Sequence, residues 1–225
     1  MFNGWNLFEK AFLIGGSIIT LLLAILSKSN FLSTVYGLLC VGSAIYIAKG
    51  KVIGNFFGIV SSLIYSYLSY QHQLYSEVIV SLFLILPITI YGFISWLKNQ
   101  NADTQTITIK KLEKSELILA IFSQVIMYFA YYHLLKYFNT EMLYISALSI
   151  CISVLAFYFL SRMTPITYYA FVLKDIIALS LWIYPLLKGE TTTFAVFFSN
   201  IIFLINDIYG IFSWKALAKK QSQNK

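Results

Sequence analysis

The sequence predicts an all-α integral membrane protein with eight transmembrane helices. Of its 225 residues, 59% are hydrophobic and only 11% are charged, whereas a soluble domain uses about 25% charged residues to cover its surface. Apolar runs close to the ~20 residues needed to cross a bilayer recur along the chain. Because these runs hold Leu, Ile, Phe and Tyr without strict alternation, they favour helices over barrel strands.

The predicted helices follow one another with short connections. They lie at 11–27, 31–48, 51–70, 74–97, 116–136, 141–161, 165–187 and 191–214. We treat the first as an uncleaved extra helix (domain 1–27), because its head has no net positive charge and no small-residue cleavage site follows. The polar connector 98–115 and the basic tail 217–225 are expected to be solvated cytoplasmic segments.

The basic residues are divided unequally between the two ends of these helices. Twelve of the sixteen Lys and Arg residues fall on the side of the N-terminal tail, three fall on the opposite side, and Lys174 lies inside a run. This distribution follows the positive-inside rule, so both termini are predicted to be cytoplasmic in a multi-pass plasma-membrane protein. It also excludes a nucleic-acid partner, which would require the charge to cluster with aromatic residues on one surface.

A short repeat indicates how the helices are grouped. "IYGFISW" (90–96) ends the fourth run and "IYGIFSW" (208–214) ends the eighth, with five of seven residues identical in register. Four spans separate the copies, so both have the same orientation in the membrane, as in a parallel transporter repeat. The sequence therefore predicts two parallel three-helix bundles, 31–97 and 141–216, with 116–136 as the linker helix that restores orientation.

The stretch 55–96 carries a recognisable signature. It opens with N-x-x-G, continues with small polar residues and an aromatic residue, and ends with L-Y and Y-G-x-x-x-W; these positions are Asn55, Gly58, Ser61, Ser62, Tyr65, Leu74, Tyr75, Tyr91, Gly92 and Trp96. The pattern resembles that of the Pnu-type vitamin transporters, whose members carry nicotinamide riboside and whose relatives carry other vitamins or nucleosides. The resemblance covers residues 30–98 well and 141–216 in outline, through Asp175, Gly210 and Trp214.

The resemblance implies a fold and a mode of transport. It implies the three-one-three helix arrangement of the sugar-carrying SWEET proteins, and facilitated diffusion followed by cytosolic phosphorylation rather than pumping. One position departs from the pattern, because Ser81 stands where nicotinamide riboside carriers have glutamine. This departure leaves a deoxynucleoside, thiamine or riboflavin open as the substrate.

Lys174 and Asp175 lie near the middle of the seventh run, where a charged residue costs about 2.5–3.5 kcal/mol on insertion scales. One interpretation is a self-neutralising pair, or a Lys174 side chain that snorkels to the cytosol. The other is a substrate site in which Asp175 shares a helix face with Phe171 and Trp182 and accepts hydrogen bonds from the ligand. We expect Asp175 to face the substrate and Lys174, which we also include in the site, to turn away.

Three other runs bring polar groups to a similar depth. Ser61 and Tyr65 share a face of the third run, Ser81 lies one turn from Glu77 in the fourth, and Asn200 lies in the eighth. Glu77, Asn206 and Asp207 are candidates for gates or vestibules at the two ends. Together these groups predict a substrate site near the bilayer midplane between the repeats. The alternatives are Ser bonding to its own helix and Tyr65 serving in packing, as do Ser146 and Ser149.

Three classes of protein remain open. A uniporter for a small aromatic nucleoside or vitamin fits the repeat and the polar groups best. A vitamin-binding subunit of an energy-coupling-factor importer is disfavoured because such subunits lack this three-helix duplication. A membrane enzyme is disfavoured because no catalytic dyad is evident. We expect no catalytic residue, cofactor or metal; the expected partners are a small-molecule substrate and the lipid bilayer, and association into a homo-oligomer is left open.

Overall fold

The computed structural model describes residues 4–26, 28, 30–102, 104–140, 142–189 and 194–223. Within these ranges the chain is helical apart from turns, the connector and one isolated β-bridge between Gln100 and Ile107. The helices are α1 (Leu7–Leu26), α2 (Phe31–Ala48), α3 (Ile53–Gln71), α4 (Tyr75–Val80), α5 (Leu86–Lys98), α6 (Lys114–Tyr137), α7 (Leu143–Ser161), α8 (Thr167–Leu187) and α9 (Phe194–Gln223).

Seven helices of the described chain are long and apolar enough to cross a membrane, with α4 and α5 counted as one continuous rod. The predicted all-α membrane fold is thereby confirmed. Helix α3, predicted as the span 51–70, has the length of a span but is less apolar, since it carries four Ser and Asn55. Its buried residues include Asn55, Ser61, Ser66 and Ser69, so its polar side faces the other helices.

The rod of α4 and α5 is interrupted by a π-helical segment, Ser81–Ile85. Pro87 follows directly at the beginning of α5. A proline inside a helix has no N–H to donate, and its ring collides with the carbonyl four residues earlier. The wider turn accommodates Pro87 and changes the direction in which the residues before it point, as π-bulges do at many functional sites.

The helices pack in two connected sets. Helix α2 packs on α3, and α3 packs on the rod of α4 and α5; in the second half, α7 packs on α8 and α8 on α9. The sets meet where α5 contacts α7 and where α2 contacts α9. Helix α1 lies against α2, and α6 lies against α7.

The two copies of the repeat make reciprocal contacts where the sets meet. The indole nitrogen of Trp96 on α5 donates to the carbonyl of Leu160 on α7, at 2.9 Å. That of Trp214 on α9 donates to the carbonyl of Ile47 on α2, at 3.1 Å. Both acceptors lie one residue before the end of their helix, and both indoles are completely buried with centroids 5.8 Å apart. Each half therefore binds the other through the same residue of the repeat.

The connector between α5 and α6 is less solvated than its polar composition predicts. Ile107 is completely buried beside Trp96 and Trp214. Its N–H donates to the carbonyl of Gly50, and the N–H of Lys110 donates to that of Met163, each at 3.0 Å. Gly50 and Met163 end corresponding turns with positive φ of 67° and 57°. Most described residues of the connector are exposed, as expected, but Ile107 is an exception, and the carbonyls of these turns bind the connector backbone.

The basic tail also departs from the expectation. Helix α9 continues to Gln223 instead of ending near 214. The Gln221 side chain holds the connector by donating to the carbonyl of Ile107 at 2.8 Å and accepting from the N–H of Ile109 at 2.9 Å. The tail as far as Gln223 is therefore ordered helix, whereas Lys225 and residues 191–193 of the predicted eighth run lie outside the described residues.

Ion pairs attach the two peripheral helices. Glu9 of α1 is buried and contacts Lys49 at 2.5 Å and the Tyr209 hydroxyl at 2.8 Å. At the start of α6, Glu116 contacts the guanidinium of Arg162, just beyond α7, at 2.6 Å. The hydrogen bond to Glu116 raises the pKa of Arg162 above its ordinary value. Each pair lies on the side that carries most of the basic residues.

Candidate functional site

A cavity of about 440 Å³ lies between the two sets of helices. Its walls come from α2, α3, α4 and the π-helical segment on one side and from α7, α8 and α9 on the other, with Leu135 of α6 and Thr140 at one end. Volumes of about 300–1,000 Å³ are usual for sites that enclose a small organic ligand. The opposite end is lined by Tyr168 and Phe171, which also belong to the core cluster around Trp96 and Trp214.

One part of the cavity combines a carboxylate with two aromatic rings. The hydroxyl of Tyr65 on α3 donates to Glu77 Oε2 on α4 at 2.9 Å. The ring of Tyr36 on α2 stacks on that of Tyr65, with centroids 5.6 Å apart and an interplanar angle of 26°. All three side chains line the cavity. We call Tyr36, Tyr65 and Glu77 the tyrosine–glutamate site.

A band of hydroxyl groups continues from this site. Ser81 Oγ, at the start of the π-helical segment, accepts from Ser66 at 2.9 Å and donates to the Ser62 carbonyl at 3.2 Å. Ser61 Oγ donates to the Gly58 carbonyl at 3.0 Å, as the alternative interpretation of these serines required. Because Ser61 and Ser81 each donate their one hydroxyl proton to a backbone carbonyl, they can meet a ligand hydroxyl only as acceptors, and Ser81 already accepts from Ser66.

The two adjacent charged residues of α8, Lys174 and Asp175, have a different arrangement from the one expected. Lys174 lines the cavity, with its ammonium 5.4 Å from the centroid of the Phe171 ring. Asp175 is completely buried, is not among the lining residues, and contacts Lys174 Nζ through Oδ1 at 2.7 Å. The expectation that Asp175 faces the cavity and Lys174 turns away is therefore reversed, and the two form the self-neutralising pair that was the alternative.

The direction of the lining row on α8 explains the reversal. Tyr168, Phe171 and Lys174 follow one another at steps of three residues, and all three line the cavity. A helix that crosses a cavity at an angle presents such an i, i+3 row, which drifts around the axis by about 60° per step. The predicted face took Phe171, four residues before Asp175, and Trp182, seven residues after it. It therefore selected Asp175 and Trp182, neither of which is among the lining residues.

Helix α9 contributes an amide and a second carboxylate. Asn206 Nδ2 donates to Asp207 Oδ1 at 3.2 Å and to the Ala44 carbonyl of α2 at 3.4 Å. Both side chains are buried, and both line the cavity. Asn206 therefore bridges the two sets of helices at the cavity wall, while Asn200, six residues earlier, is not among the lining residues.

Most of the predicted polar residues meet in this one cavity. Eight of the eleven side chains line it: Ser61, Tyr65, Glu77, Ser81, Phe171, Lys174, Asn206 and Asp207. Three do not: Asp175, Trp182 and Asn200. The roles of all eleven residues in binding or gating remain predictions. Within the described ranges, no group of three His, Cys, Asp or Glu side chains could hold a metal ion.

Sequence reasoning missed the contributions of α2 and α7. Tyr36, Cys40 and Ser43 line the cavity from α2, and Ser146, Ser149 and Ser153 line it from α7. The interpretation of Ser146 and Ser149 as packing residues was incomplete for this reason. The available signal was their spacing, since Tyr36, Cys40 and Ser43 and the three serines of α7 each fall on one helix face at i, i+3 or i+4, and i+7.

Comparison with known proteins identifies the family. The family model described as nicotinamide mononucleotide transporter matches residues 27–216. The chain belongs to the nicotinamide mononucleotide transporter family. Helix α1 precedes the matched region, although Glu9 ties it firmly to α2 and α9.

Individual relatives of this family cover nearly the whole chain. A nicotinamide riboside transporter PnuC of Neisseria mucosa is 24% identical over 99% of this chain and 86% of its own length. A second one, of Haemophilus influenzae, is 21% identical over 97% of this chain and 94% of its own length. The crystal structure of the vitamin B3 transporter PnuC matches 96% of this chain with a TM-score of 0.81 at 22% identity, covering 94% of that chain. The overall fold is thus that of this transporter structure.

Proposed function

We propose that this protein carries nicotinamide riboside across the plasma membrane by facilitated diffusion and has no enzymatic activity. The observation that carries the proposal is the cavity between the two sets of helices, with its aromatic rings, hydroxyls and excess of carboxylates. The names of the two curated relatives support the choice of substrate. The volume of about 440 Å³ suits a single nucleoside.

The proposed architecture has two parallel three-helix bundles. Helices α2, α3 and the rod of α4 and α5 form one bundle, and α7, α8 and α9 form the other; α6 is the linker and α1 is extra, which makes eight spans. The reciprocal bonds of Trp96 and Trp214 support this assignment, as do the corresponding turns at Gly50 and Met163. The cavity then lies on the axis that relates the repeats, where transporters of this kind bind substrate.

The charge of the cavity favours a riboside over a mononucleotide. Among the described lining residues Lys174 is the one cation, and Asp175 already neutralises it at 2.7 Å. Glu77 and Asp207 add negative charge to the wall. A phosphate group would need cationic donors to replace its water, whereas carboxylates would repel it. A nucleoside without phosphate meets no such penalty.

The same charge explains how uptake becomes directional without pumping. Once a cytosolic kinase adds phosphate to the riboside, the product carries the charge that the cavity disfavours. We therefore propose that the two bundles rock to expose the cavity alternately and only equilibrate the free nucleoside. Phosphorylation then holds it inside the cell.

The proposed orientation places both termini in the cytoplasm. Most of the basic residues lie at one end of the helices, together with the connector and the Trp96–Trp214 contact. Cytoplasmic ends of membrane helices carry such an excess of Lys and Arg. The end of the cavity lined by Tyr168 and Phe171 would then face the cytosol, and Glu77 would lie toward the outside.

Uptake by purified protein in liposomes tests the proposal. Radiolabelled nicotinamide riboside should enter until the internal and external concentrations are equal, and trapping a kinase with ATP inside should raise the total label above that level. Nicotinamide mononucleotide, thiamine, riboflavin and a deoxynucleoside serve as competitors, and empty liposomes as the control. Accumulation of free riboside driven by a pH or sodium gradient alone would contradict facilitated diffusion, and transport of a competitor in its place would contradict the substrate.

A further inference from the structure

We propose that the tyrosine–glutamate site binds the positively charged ring of the substrate, so that the carrier selects its ligand by ring charge. This inference rests on the proposed carrier function and adds a selection rule to it. The substrate class is a nucleoside or vitamin whose aromatic ring carries a fixed positive charge.

The first support is the position of Glu77. Its side chain is half-buried and lines the cavity, and Tyr65 donates to only one of its oxygens, Oε2, at 2.9 Å. That bond fixes the carboxylate at the wall. No Lys, Arg or His side chain within the described ranges forms an ion pair with Glu77. A half-buried carboxylate without such a counter-ion is stabilised when a ligand brings a positive charge to it.

The second support is the pair of aromatic rings. Tyr36 and Tyr65 stack at 5.6 Å and come from neighbouring helices, so their rings form a surface next to the carboxylate. A cation over the face of a tyrosine is attracted by the negative face of the ring. A flat cationic ring can therefore stack on tyrosine while its charge faces Glu77. A neutral ring can stack on tyrosine but brings no charge to Glu77.

The third support is the placement of the charged groups on different walls of the cavity. On α8 the ammonium of Lys174 lies against Phe171 and pairs with Asp175, so the cation and its counter-ion belong to a different wall from Glu77. Ser61, Ser62 and Ser81 belong to the wall that carries the tyrosine–glutamate site. A ligand with a cationic ring and a hydroxylated sugar can thus place its ring at Glu77 and its hydroxyls on the serine band.

Two ligand pairs that differ in ring charge provide the test. Nicotinamide riboside is compared with its neutral 1,4-dihydro form, and thiamine with the neutral 3-deazathiamine, by calorimetry on purified protein. Glu77→Gln should weaken binding of whichever cationic compound the parent binds by about 10- to 100-fold, because it removes the facing charge. Binding of the neutral partner should change by less than about threefold, within the range of a neutral hydrogen bond.

Matched variants separate charge from shape. Glu113→Gln removes the same charge from an exposed position near the end of the connector and should leave both affinities unchanged. Tyr65→Leu removes the ring face and should weaken both members of a pair, whereas Tyr65→Phe should have the smaller effect. If Glu77→Gln weakens binding of the cationic and the neutral ligand equally, or weakens neither, the inference is wrong. The proposed function still stands in that case, provided that the parent protein transports nicotinamide riboside.

The two proposals fail in different ways. If the parent binds thiamine and not nicotinamide riboside, the proposed substrate is wrong, and the thiamine pair still decides the selection rule. If the parent prefers either neutral compound to its cationic partner, selection by ring charge is wrong whichever substrate is carried.

Discussion

At the scale of single residues, the two glycines of the repeat differ in what surrounds them. A Cβ built on Gly210 would lie 2.0 Å from Cε1 of Tyr168, whereas one on Gly92 would lie 3.3 Å from the nearest atom, Cβ of Ser161. Tyr168 is 1% exposed and packs against Trp214 with centroids 5.3 Å apart, so its ring has little room to move. Equal positions in the repeat therefore tolerate different substitutions.

Gly210→Ala is expected to destabilise the protein by about 1–3 kcal/mol, the usual cost of overpacking a core, and Gly92→Ala by clearly less. Thermal unfolding of the two variants in the same detergent measures the difference. Tyr168→Leu should recover part of the loss when combined with Gly210→Ala, because it removes the ring atoms in the clash. Equal midpoints for the two alanine variants would show that the ring gives way freely.

At the scale of helices and segments, the connector and the end of α9 form one unit. Gln221 makes two hydrogen bonds to the backbone of the connector, to Ile107 and Ile109, while Gln223, two residues later, is exposed. The connector in turn binds the turns at Gly50 and Met163. Its order therefore depends on a helix that the sequence alone ends near residue 214.

Gln221→Ala should loosen this unit. Each lost hydrogen bond is worth about 1 kcal/mol, so the loss of one or both should make the amides of residues 107–110 exchange with deuterium about 5- to 30-fold faster, as expected for easier local opening. Gln223→Ala, which removes the same side chain from an exposed position, is the matched control. Unchanged exchange in Gln221→Ala would mean that burial of Ile107 holds the connector by itself.

At the scale of the whole molecule, the distribution of charge predicts the orientation in the membrane. Single cysteines in place of Lys28 or Lys136, in a chain whose Cys40 and Cys151 are replaced by alanine, should react with a membrane-impermeant maleimide added to intact cells. Cysteines in place of Lys98 or Lys219 should react only after the membrane is opened. All four lysines are exposed, so access depends on the side of the membrane. The reverse labelling pattern would place both termini outside.

The sequence predicted the helices well because length and apolarity control membrane insertion. The errors of the prediction lie at the ends of the helices and in the connector between them. Helix α1 begins at Leu7 rather than 11, because Glu9 is neutralised by Lys49, which a scan for apolar runs does not detect. The connector was misjudged because Ile107 and Ile109 stand in a polar stretch, and only the three-dimensional contacts show that one of them is buried.

Counting residues along a helix predicts the depth of a side chain in the membrane, and both Lys174 and Asp207, which were selected by depth, line the cavity. Their roles there remain predictions. Counting does not give the rotation or tilt of α8, which decided between Lys174 and Asp175. Nor does it show which of many small polar residues face inward, and this is why Tyr36, Ser146 and Ser149 were not assigned to the cavity.

Under the proposed rocking motion, the reciprocal indole bonds of Trp96 and Trp214 make the two halves of the transport cycle mechanically unequal. A rotation about an axis through this pair leaves both bonds intact, yet at the far ends of the helices, about 30 Å away, a turn of roughly 10° becomes a gap of about 5 Å. The end of the cavity far from the tryptophans can thus open while both indole bonds remain in place. Opening at the tryptophan end must break both bonds and withdraw Ile107 from its pocket. Release at that end, rather than capture at the other, is therefore the step that we expect to limit turnover.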